Sequence, residues 1–486
     1  MDSPVTGSPL EELPPELVLI IFKYLDLKSL KAVSLTCHRL EEIFSYYNAP
    51  RFVLRISELY PGNVITLPMK DIEEKVEQAT IMLERTKRPY RNVHLDISSA
   101  GMYDDFDNMP TLLAKLFETR TMQQLVRLKL ELPQHMEKFA TQLSNALAKM
   151  DHLQELKLHH PWGRLTGPQI TELKLVNRTL HKLELYAIFP SVIDCRNLRL
   201  LSVWYSVDVE TVVGKQYVEH GGEEPYWKLK QLEELTIWHN EYTMPKRNHC
   251  SAKVQFYRHM TQLKKLCHNA GFVSDEMLQT ICKSCVQLES LYLADMIVNN
   301  PNFSCFLSNL TNLRQLAIES STNVLSFTGV RLPRLEKLLL DDINIDWASL
   351  AELKSIKWLK INPDRSTVKQ MCDLLERHMN RLQFVWITFY DQLDLPCYRE
   401  IFATLSKLPA LKRLALDNVK NSSWLKEMTP LPGLTRIAVL CCSRETVETD
   451  DLEKLGPNIK EIKDVTVTDR TYTWDITFEF DPFYFA

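Results

Sequence analysis

"LVRLKL" (residues 125–130) and "LQELKL" (residues 153–158) have leucine at the first, fourth and sixth positions and charged residues at the third and fifth. The same spacing recurs in eleven further segments, with His268 at one sixth position. These segments begin at Leu180, Leu198, Leu232, Leu263, Leu288, Leu313, Leu335, Ile356, Leu382, Leu411 and Leu434. The copies start about 26 residues apart on average. A pattern that recurs at this mean spacing indicates repeats that bury their apolar residues against one another.

Apolar and polar residues alternate in each copy, as they do in a half-buried β-strand. Helix-like segments such as VKQMCDLLERHM (residues 368–379) lie between copies. The period and spacing are similar to those of leucine-rich repeats, whose period is roughly 20 to 29 residues. Parallel strands stand about 4.8 Å apart whereas helices need roughly 8 to 10 Å. The strands therefore belong on a concave face and the helices on a convex face.

The start of the chain has a different pattern. In PELVLIIFKYLDL (residues 15–27) Leu17, Ile20 and Ile21 follow helical spacing, while Val18 and Phe22 cover a second face. Two more short helices are predicted before residue 50. Three helices within about 40 residues bury only part of their apolar surface on each other. The remaining apolar stripe is covered either by the next domain of the chain or by another protein.

These residues resemble the F-box, a three-helix module that binds the Skp-type adaptor of cullin-RING ubiquitin ligases. The resemblance rests on Leu13-Pro14-x-Glu16-Leu17, Ile21-Phe22-x-x-Leu25-x-Leu27-x-x-Leu30 and Ser34-Leu35-x-Cys37-x-Arg39. Leu40 stands where many F-boxes carry tryptophan, and it keeps the position apolar. The resemblance implies that the adaptor covers the apolar stripe. The implied adaptor-binding residues are Leu13, Pro14, Pro15, Leu17, Ile20, Ile21, Leu25 and Leu30.

Together the patterns predict an α/β protein, with an N-terminal three-helix F-box followed by a leucine-rich-repeat solenoid. The predicted boundaries are a flexible N-terminus at 1–9, the F-box at 10–50, degenerate early repeats at 51–124, the solenoid at 125–460 and a C-terminal cap at 461–486. The two longest steps between copies contain EHGGEEP and NEYTMPKRNHC, which predict loops outside the regular repeat.

The third, fifth and seventh residues of each copy point away from the core because side chains alternate along a strand. Aromatic residues and a histidine recur there, and exposed aromatics on a rigid sheet are typical anchors of a protein interface. The alternative is that they pack against neighbouring loops. The candidate target-binding residues are His159, Tyr186, Trp204, Trp238, Tyr292, Trp358, Phe384 and Trp386.

Composition excludes some partners. The net charge of −4 comes from 58 basic and 62 acidic residues, so nothing favours a nucleic acid or an anionic membrane. No apolar run approaches the roughly 18 residues of a membrane span, and Pro14 and Pro15 stand where a signal peptide would be apolar. Eleven cysteines, an odd number, favour reduced thiols. We expect a protein of the cytoplasm or nucleus.

The sequence lacks the motifs of nucleotide-binding loops, serine hydrolases and zinc proteases, and contains 12 glycines. The best metal candidate is Cys282-x-x-Cys285, with Cys267-His268 upstream. Cys285 precedes a repeat strand at the end of a helix-like segment, which favours buried free thiols. We therefore expect no cofactor, no metal and no catalytic site.

The F-box resemblance implies a substrate-recognition subunit of an SCF-type ubiquitin ligase. The F-box would bind the Skp-type adaptor and through it the cullin and RING subunits, and the repeats would bind an unknown target protein. The alternative is a scaffold whose repeats recruit no target for degradation. An enzyme in its own right is the least supported class because the catalytic motifs are missing.

Overall fold

The computed structural model describes residues 13–34, 36–48, 53–57, 69–86, 90–98, 108–132, 139–160, 169–204, 229–238, 251–269, 273–296, 303–321, 324–390, 393–419, 423–441, 455–456, 458–459 and 461–466. The chain divides into two compact units, Met1–Gln231 and Leu232–Ala486.

The first unit begins with three short helices, which are α1 (Pro15–Phe22), α2 (Leu27–Ser34) and α3 (His38–Asn48). Pro15 suits the first position of α1, where an amide hydrogen would have no helical acceptor. Asp26 caps α2, because its Oδ1 accepts a hydrogen bond of 2.7 Å from the backbone N–H of Ser29. Arg39 Nη2 donates to the Leu13 carbonyl at 2.7 Å and ties α3 to the entry of α1.

The rest of the first unit alternates between strands and helices. Its described elements are β1 (Val53–Ser57), α4 (Met69–Arg85), β2 (Asn92–Asp96), α5 (Met109–Glu118), α6 (Arg120–Gln123), β3 (Arg127–Glu131), α7 (Ala140–Lys149), β4 (Glu155–His159), β5 (Gln169–Val176), β6 (Lys182–Tyr186), β7 (Ile188–Asp194) and β8 (Leu200–Trp204). Strands β1, β2, β3, β4, β6 and β8 pair in that order, all parallel. Equivalent repeat positions stand opposite one another, as in Leu128, Leu156, Leu183 and Leu201.

One repeat of the first unit departs from the predicted alternation of strand and helix. Between β4 and β6 the chain forms β5, which pairs in parallel with β7 in a separate two-stranded sheet, and α7 packs against β5. In β5 Leu173 and Leu175 are buried whereas Lys174 and Val176 are exposed. This alternation has the period of a strand, so the segment does not form a helix.

The second unit repeats a strand and a helical segment. Its described elements are β9 (Glu234–Trp238), α8 (Ser251–Arg258), β10 (Lys265–Asn269), α9 (Asp275–Ser284), β11 (Ser290–Met296), a 3-10 helix (Phe303–Asn309), β12 (Gln315–Ser321), β13 (Lys337–Asp341), a 3-10 helix (Trp347–Glu352), β14 (Trp358–Ile361), α10 (Val368–His378), β15 (Phe384–Thr388), α11 (Leu395–Ser406), β16 (Arg413–Val419), a 3-10 helix (Ser423–Glu427), β17 (Arg436–Cys441) and β18 (Glu461–Thr466). Strands β9 to β18 pair consecutively and in parallel.

In the second unit the shortest helix-containing steps carry 3-10 helices and the longest carry α-helices, while steps of 25 residues contain either type. The 3-10 helices lie in steps of 21 to 25 residues, whereas the α-helices lie in steps of 25 to 31 residues. A 3-10 helix rises about 2.0 Å per residue against about 1.5 Å for an α-helix, so it spans a given distance with fewer residues.

The core lies where the repeat pattern predicts it. The first, fourth and sixth residues of all thirteen copies are buried, which confirms the solenoid prediction. The polar member, His268, is also buried, and its ring meets that of Tyr257 edge-to-face at 6.1 Å between centroids. Each buried leucine contributes roughly 1.5 to 3 kcal/mol, so the repeats stabilise one another through these columns.

Several predicted segments lie wholly or partly outside the described residues. They include the N-terminus at 1–9, the EHGGEEP and NEYTMPKRNHC segments, and the part of the predicted cap that follows Thr466. The start of that cap forms β18, which pairs with β17. In the described part of the chain, every helix is too short or too polar to cross a membrane.

Candidate functional site

The three N-terminal helices share a small apolar core. Val18, Phe22, Leu30, Leu40 and Phe44 form this cluster. The rings of Phe22 and Phe44 meet edge-to-face with their centroids 6.4 Å apart. Leu40 is buried, so it occupies a core position as the sequence predicted.

One side of α1 and the turn after it presents apolar residues at the surface. Leu17, Ile20 and Tyr24 are 47%, 48% and 85% exposed, and they follow one another at intervals of three and four residues. Pro14 and Pro15 are exposed at the start of the same helix. Tyr24 was not among the predicted adaptor-binding residues, although helical spacing places it on this side. We call Leu17, Ile20 and Tyr24 the α1 surface.

The other predicted adaptor-binding residues are less accessible. Leu13 and Leu25 are half-buried and pack against the helical core, and Ile21 is also half-buried. Leu30 is 3% exposed inside that core. Its assignment as a contact residue is therefore corrected, because so buried a side chain supports the helices from within.

A row of side chains crosses the first unit on the face formed by the third, fifth and seventh residues of each copy, which we call the odd-position face. His159 and Tyr186 meet edge-to-face at 4.7 Å between ring centroids, and Tyr186 stacks on Trp204 at 6.3 Å. Glu131 extends the row, with its Oε2 3.8 Å from His159 Nδ1 and its Oε1 2.8 Å from His94 Nε2. The structure thus brings together the three candidate residues of the first unit, each of which is half-buried.

Cations balance the carboxylates near this row. Although burial opposes ionisation, hydrogen bonds from Lys129 and His94 hold the pKa of Glu131 below its ordinary value. A second carboxylate has the same arrangement. Glu184 Oε2 lies 2.6 Å from Lys157 Nζ, and the pKa of Glu184 is likewise lowered against the effect of burial. The face therefore combines aromatic contact area with paired charges.

Two candidate aromatic residues meet in the second unit. The rings of Trp238 and Tyr292 lie 5.7 Å apart between centroids. Trp238 is half-buried, but Tyr292 is almost fully buried and its hydroxyl donates a hydrogen bond to the Glu319 carboxylate. Burial raises the pKa of Tyr292 well above its ordinary value. Tyr292 therefore contributes to packing, and its assignment as an exposed contact is corrected.

Three other candidate residues also pack inward. Trp358, Phe384 and Trp386 are all buried. The Trp358 ring meets those of Phe384 and Trp386 edge-to-face, at 5.3 Å and 6.5 Å between centroids. Arg413 lies over the Phe384 ring at 4.8 Å. Side chains of neighbouring strands cover one another here, so the packing alternative describes these residues better than an exposed interface does.

A polar group that the sequence did not reveal lies beside these aromatic residues. Lys360 Nζ is 2.5 Å from Asp341 Oδ2, and both side chains are buried. The hydroxyl of Tyr390, which is half-exposed, donates to Asp341 Oδ1 at 2.8 Å. Lys360 Nζ also lies 4.9 Å from the centroid of the Trp386 ring. The group joins three strands, β13, β14 and β15, so its members are distant in sequence.

Asp417 completes this group from β16. Its Oδ2 accepts from the Thr388 hydroxyl at 3.5 Å, and its Oδ1 accepts from the backbone N–H of Asn418 at 2.7 Å. Burial raises the pKa of Asp417, although the charge of Lys360 opposes that rise. We call Asp341, Lys360, Trp386, Tyr390 and Asp417 the acidic-aromatic cluster.

The cysteines proposed as a metal alternative are buried thiols. Cys282 and Cys285 lie in and directly after α9, and Cys285 Sγ donates to the Tyr257 carbonyl at 3.8 Å. Burial raises the pKa of Cys285 to about 12 and that of Cys282 further. The burial of both thiols and the hydrogen bond of Cys285 agree with the free-thiol alternative. Within the described residues, no three His, Cys, Asp or Glu side chains are grouped to hold a metal ion.

A family comparison agrees with the N-terminal geometry. Residues 10–47 match the family model described as F-box-like. The chain carries an F-box-like domain. The α1 surface belongs to this domain, and the leucine-rich solenoid follows it.

Other comparisons add little to the F-box-like match. No curated protein matches the sequence. An internalin (inlF) from Listeria monocytogenes is similar at 14% identity with a TM-score of 0.32, over 90% of this chain and 94% of that one. Internalin C2 from the same organism is similar at 19% identity with a TM-score of 0.27, over 44% of this chain and 84% of that one. Likenesses this weak carry no argument about what the protein does.

Proposed function

We propose that this protein is the substrate-recognition subunit of an SCF-type ubiquitin ligase. F-box domains generally bind Skp-type adaptors, and the α1 surface of the F-box-like domain carries the proposal. Leu17 and Ile20 leave about half of their side-chain area in water. Covering the exposed half of such residues with a partner contributes roughly 0.7 to 1.5 kcal/mol each, which gives the adaptor a reason to bind there.

The proposed role is positioning and not bond chemistry. The adaptor would connect the chain to the cullin and RING subunits in the cytoplasm or nucleus, while the repeats hold a target protein. Keeping a target lysine near the ubiquitin-conjugating enzyme raises its effective concentration, so this chain needs no catalytic residue of its own. The row of His159, Tyr186 and Trp204 supports target binding by the repeats, because stacked aromatics are frequent interface anchors.

The adaptor contact can be tested with the double variant Leu17→Asp/Ile20→Asp. Placing two carboxylates at an apolar interface removes roughly 1.5 to 3 kcal/mol of burial and adds the cost of desolvating two charges, so binding of a purified Skp-type adaptor should weaken at least about tenfold. Val286→Asp is the matched control, because Val286 is 46% exposed on the repeats. Titration calorimetry on the full chain measures both variants. Equal adaptor affinity of the double variant and the control would refute the assignment.

Ubiquitin transfer separates the proposal from the scaffold alternative. The chain would be assembled with adaptor, cullin and RING subunits and a conjugating enzyme, together with the proteins it captures from cells. A receptor supports ubiquitination of a captured protein, and the double variant abolishes it. Stable adaptor binding without ubiquitination of any captured protein would identify a scaffold.

A further inference from the structure

We propose that a column of basic side chains on the first unit binds acidic residues of an extended segment of the target protein. The members stand at equivalent positions of four adjacent strands, and we call them the basic column: Arg55, His94, Lys129 and Lys157. The inference rests on the proposed role of the repeats in target binding, and it names the chemistry that they would recognise.

Strand register builds the basic column. Arg55 of β1 stands opposite His94 of β2. Lys129 of β3 is next in register, and Lys157 of β4 follows it. Adjacent strands lie about 4.8 Å apart, so the column extends about 14 Å across the sheet. Four basic residues therefore form one line on the odd-position face.

The lysines of the column are more exposed than the carboxylates that pair with them. Lys129 is 41% exposed and Glu131 only 19%, with 2.8 Å between Nζ and Oε1. Lys157 is 46% exposed and Glu184 only 23%, with 2.6 Å between Nζ and Oε2. The carboxylates thus lie deeper and the ammonium groups lie nearer to water, so a partner would meet the positive groups first.

Each of these carboxylates is shared between basic groups. Glu131 Oε1 also lies 2.8 Å from His94 Nε2, and Glu184 Oε1 lies 2.9 Å from Lys182 Nζ. Arg55, at the end of the column, is exposed. Carboxylates from a partner would complement the basic groups through charge-assisted hydrogen bonds.

Two other carboxylates on these strands have partners of their own. Glu155 Oε1 lies 2.9 Å from Arg127 Nε. Asp96 is buried, and its Oδ1 accepts from the Ser98 hydroxyl at 2.7 Å. Neither carboxylate stands in the register line of the basic column, so the exposed part of that line stays basic.

An acidic protein segment fits this arrangement better than a nucleic acid does. Carboxylates on alternate residues of an extended chain stand about 6.8 Å apart on one side, so three of them span about 14 Å, the length of the column. Neutral residues of the same segment can lie over Glu131 and Glu184. A nucleic acid carries a phosphate at every nucleotide, and these two carboxylates would repel it.

The row of His159, Tyr186 and Trp204 lies beside the basic column. Lys157 and His159 are two residues apart on β4, so their side chains share a face. Tyr186 stands opposite His159 on β6 and stacks on Trp204. A segment that lies over the column can therefore also place an apolar side chain against these rings.

The test uses the full chain and two capped hexapeptides. One alternates glutamate with alanine and so places three carboxylates on one side when it is extended. The other has glutamine in place of glutamate and is nearly isosteric but neutral. We expect saturable binding of the glutamate peptide by ligand-observed NMR at 50 mM salt, and about tenfold weaker binding of the glutamine peptide. A hexamer of thymidine nucleotides should bind more weakly than the glutamate peptide.

Two variants remove charge from the column. Lys129→Met/Lys157→Met should weaken glutamate-peptide binding about tenfold, and each substitution leaves the paired glutamate a second basic partner. Arg55→Gln should weaken it several-fold, and it decides the question if the double variant does not fold. The matched control is Lys265→Met/Lys357→Met, which removes two half-exposed lysines of the second unit that also pair with glutamates. The control should leave peptide affinity unchanged.

The results decide for or against the basic column. The inference is overturned by equal binding of both peptides, by no saturable binding, or by equal losses in the double variant and its control. Unchanged affinity in Arg55→Gln also overturns it, and tighter binding of the thymidine hexamer would assign the column to nucleic acid. Melting curves check that the variants are folded.

Adaptor binding is measured on the same preparations. A chain that binds adaptor but not the glutamate peptide overturns this inference alone. A chain that binds the glutamate peptide but not adaptor overturns the ligase proposal alone.

Discussion

Lys360 keeps a charged group inside the protein, since its side chain is only 5% exposed and that of Asp341 only 8%. Removing one partner of a buried ion pair leaves the other charge without compensation, which costs about 3 to 5 kcal/mol. We therefore expect Lys360→Met to lower the free energy of unfolding by about that amount. Urea denaturation measures the loss. Lys360→Met combined with Asp341→Asn should recover much of it, because the charge of Asp341 is then removed together with that of its partner.

Lys357 provides the matched control for this prediction. Its Nζ lies 2.7 Å from Glu336 Oε1, but both side chains are about half exposed. Exposed pairs contribute about 0 to 1 kcal/mol, so Lys357→Met should change stability little. Similar losses of unfolding free energy in Lys357→Met and Lys360→Met would show that burial does not determine how much the pair of Lys360 and Asp341 stabilises the protein.

Asp417 should make stability depend on pH. Burial raises its folded-state pKa above the ordinary value of 3.8, so the folded protein favours the protonated carboxyl. That stabilising contribution is present at low pH and is lost as pH rises through the folded-state pKa. We expect Asp417→Asn to raise the melting temperature at pH 7 by a few degrees, with a smaller gain at pH 5. Asp373→Asn, at an exposed carboxylate on α10, should show no gain at either pH, and a lower melting temperature of Asp417→Asn at pH 7 would contradict the prediction.

The repeat pattern predicts which residues face away from the core but not which of them remain accessible. Tyr186 and Phe384 both occupy odd positions, yet Tyr186 is half-buried whereas Phe384 is 0% exposed. The difference comes from neighbouring strands, where Trp358 and Arg413 cover Phe384. Whether a residue at an odd position is covered therefore depends on side chains of the neighbouring strands, which are roughly one repeat away in sequence. The pairing of Lys360 with Asp341 escaped prediction for the same reason.

Among the elements, α7 depends on a side chain that lies beyond the next two strands, β4 and β5. Asn177 Nδ2 donates to the carbonyls of Leu147 and Met150 at 2.9 Å and 3.1 Å, while its Oδ1 accepts from the backbone N–H of Leu180 at 2.9 Å. These bonds add to those that the two carbonyls accept from the backbone N–H groups of Met150 and Leu153, at 3.4 Å and 3.2 Å, and they tie the end of α7 to the segment before β6. We expect Asn177→Ala to lower the free energy of unfolding by about 2 to 4 kcal/mol, because several buried bonds are lost together.

The control for Asn177 is another asparagine of the first unit. Asn197 is exposed, and its Nδ2 donates to the Arg178 carbonyl at 2.6 Å. Water can replace that bond, so Asn197→Ala should cost well under half as much in chemical denaturation. If both substitutions cost the same, the capping role of Asn177 is wrong.

Element types followed from the sequence wherever the period was clear. The helix-like segment before Asn380 forms α10, and the degenerate early repeats predicted at 51–124 contain β1 and β2. The strand β5 was missed because the expected alternation of strand and helix took precedence over the period-two pattern in its own residues. The 3-10 helices were missed because the pattern fixes the spacing of strands and leaves the geometry of short connections open.

At the scale of the molecule, the proposed adaptor contact and the proposed target contacts lie on segments far apart in sequence. The F-box-like match spans residues 10–47, whereas the row of the first unit ends at Trp204. Each contact can then be removed without the other. Leu17→Asp/Ile20→Asp should leave the set of captured target proteins intact, and changes at Trp204 should leave adaptor affinity intact.

Trp204→Ala tests whether the row in the first unit binds a target. Trp204 is half-buried and stacks on Tyr186, so its loss should cost about 0.5 to 1.5 kcal/mol of stability from the ring pair, with a small change in melting temperature. Truncating an aromatic interface anchor typically costs 2 kcal/mol or more of binding, so capture of target proteins from cells should fall sharply. Phe384→Ala is the contrasting variant, because removing a buried phenylalanine should cost about 3 to 5 kcal/mol of stability. An unchanged capture set in Trp204→Ala places the target contact elsewhere, and a melting temperature as low as that of Phe384→Ala assigns Trp204 to the core.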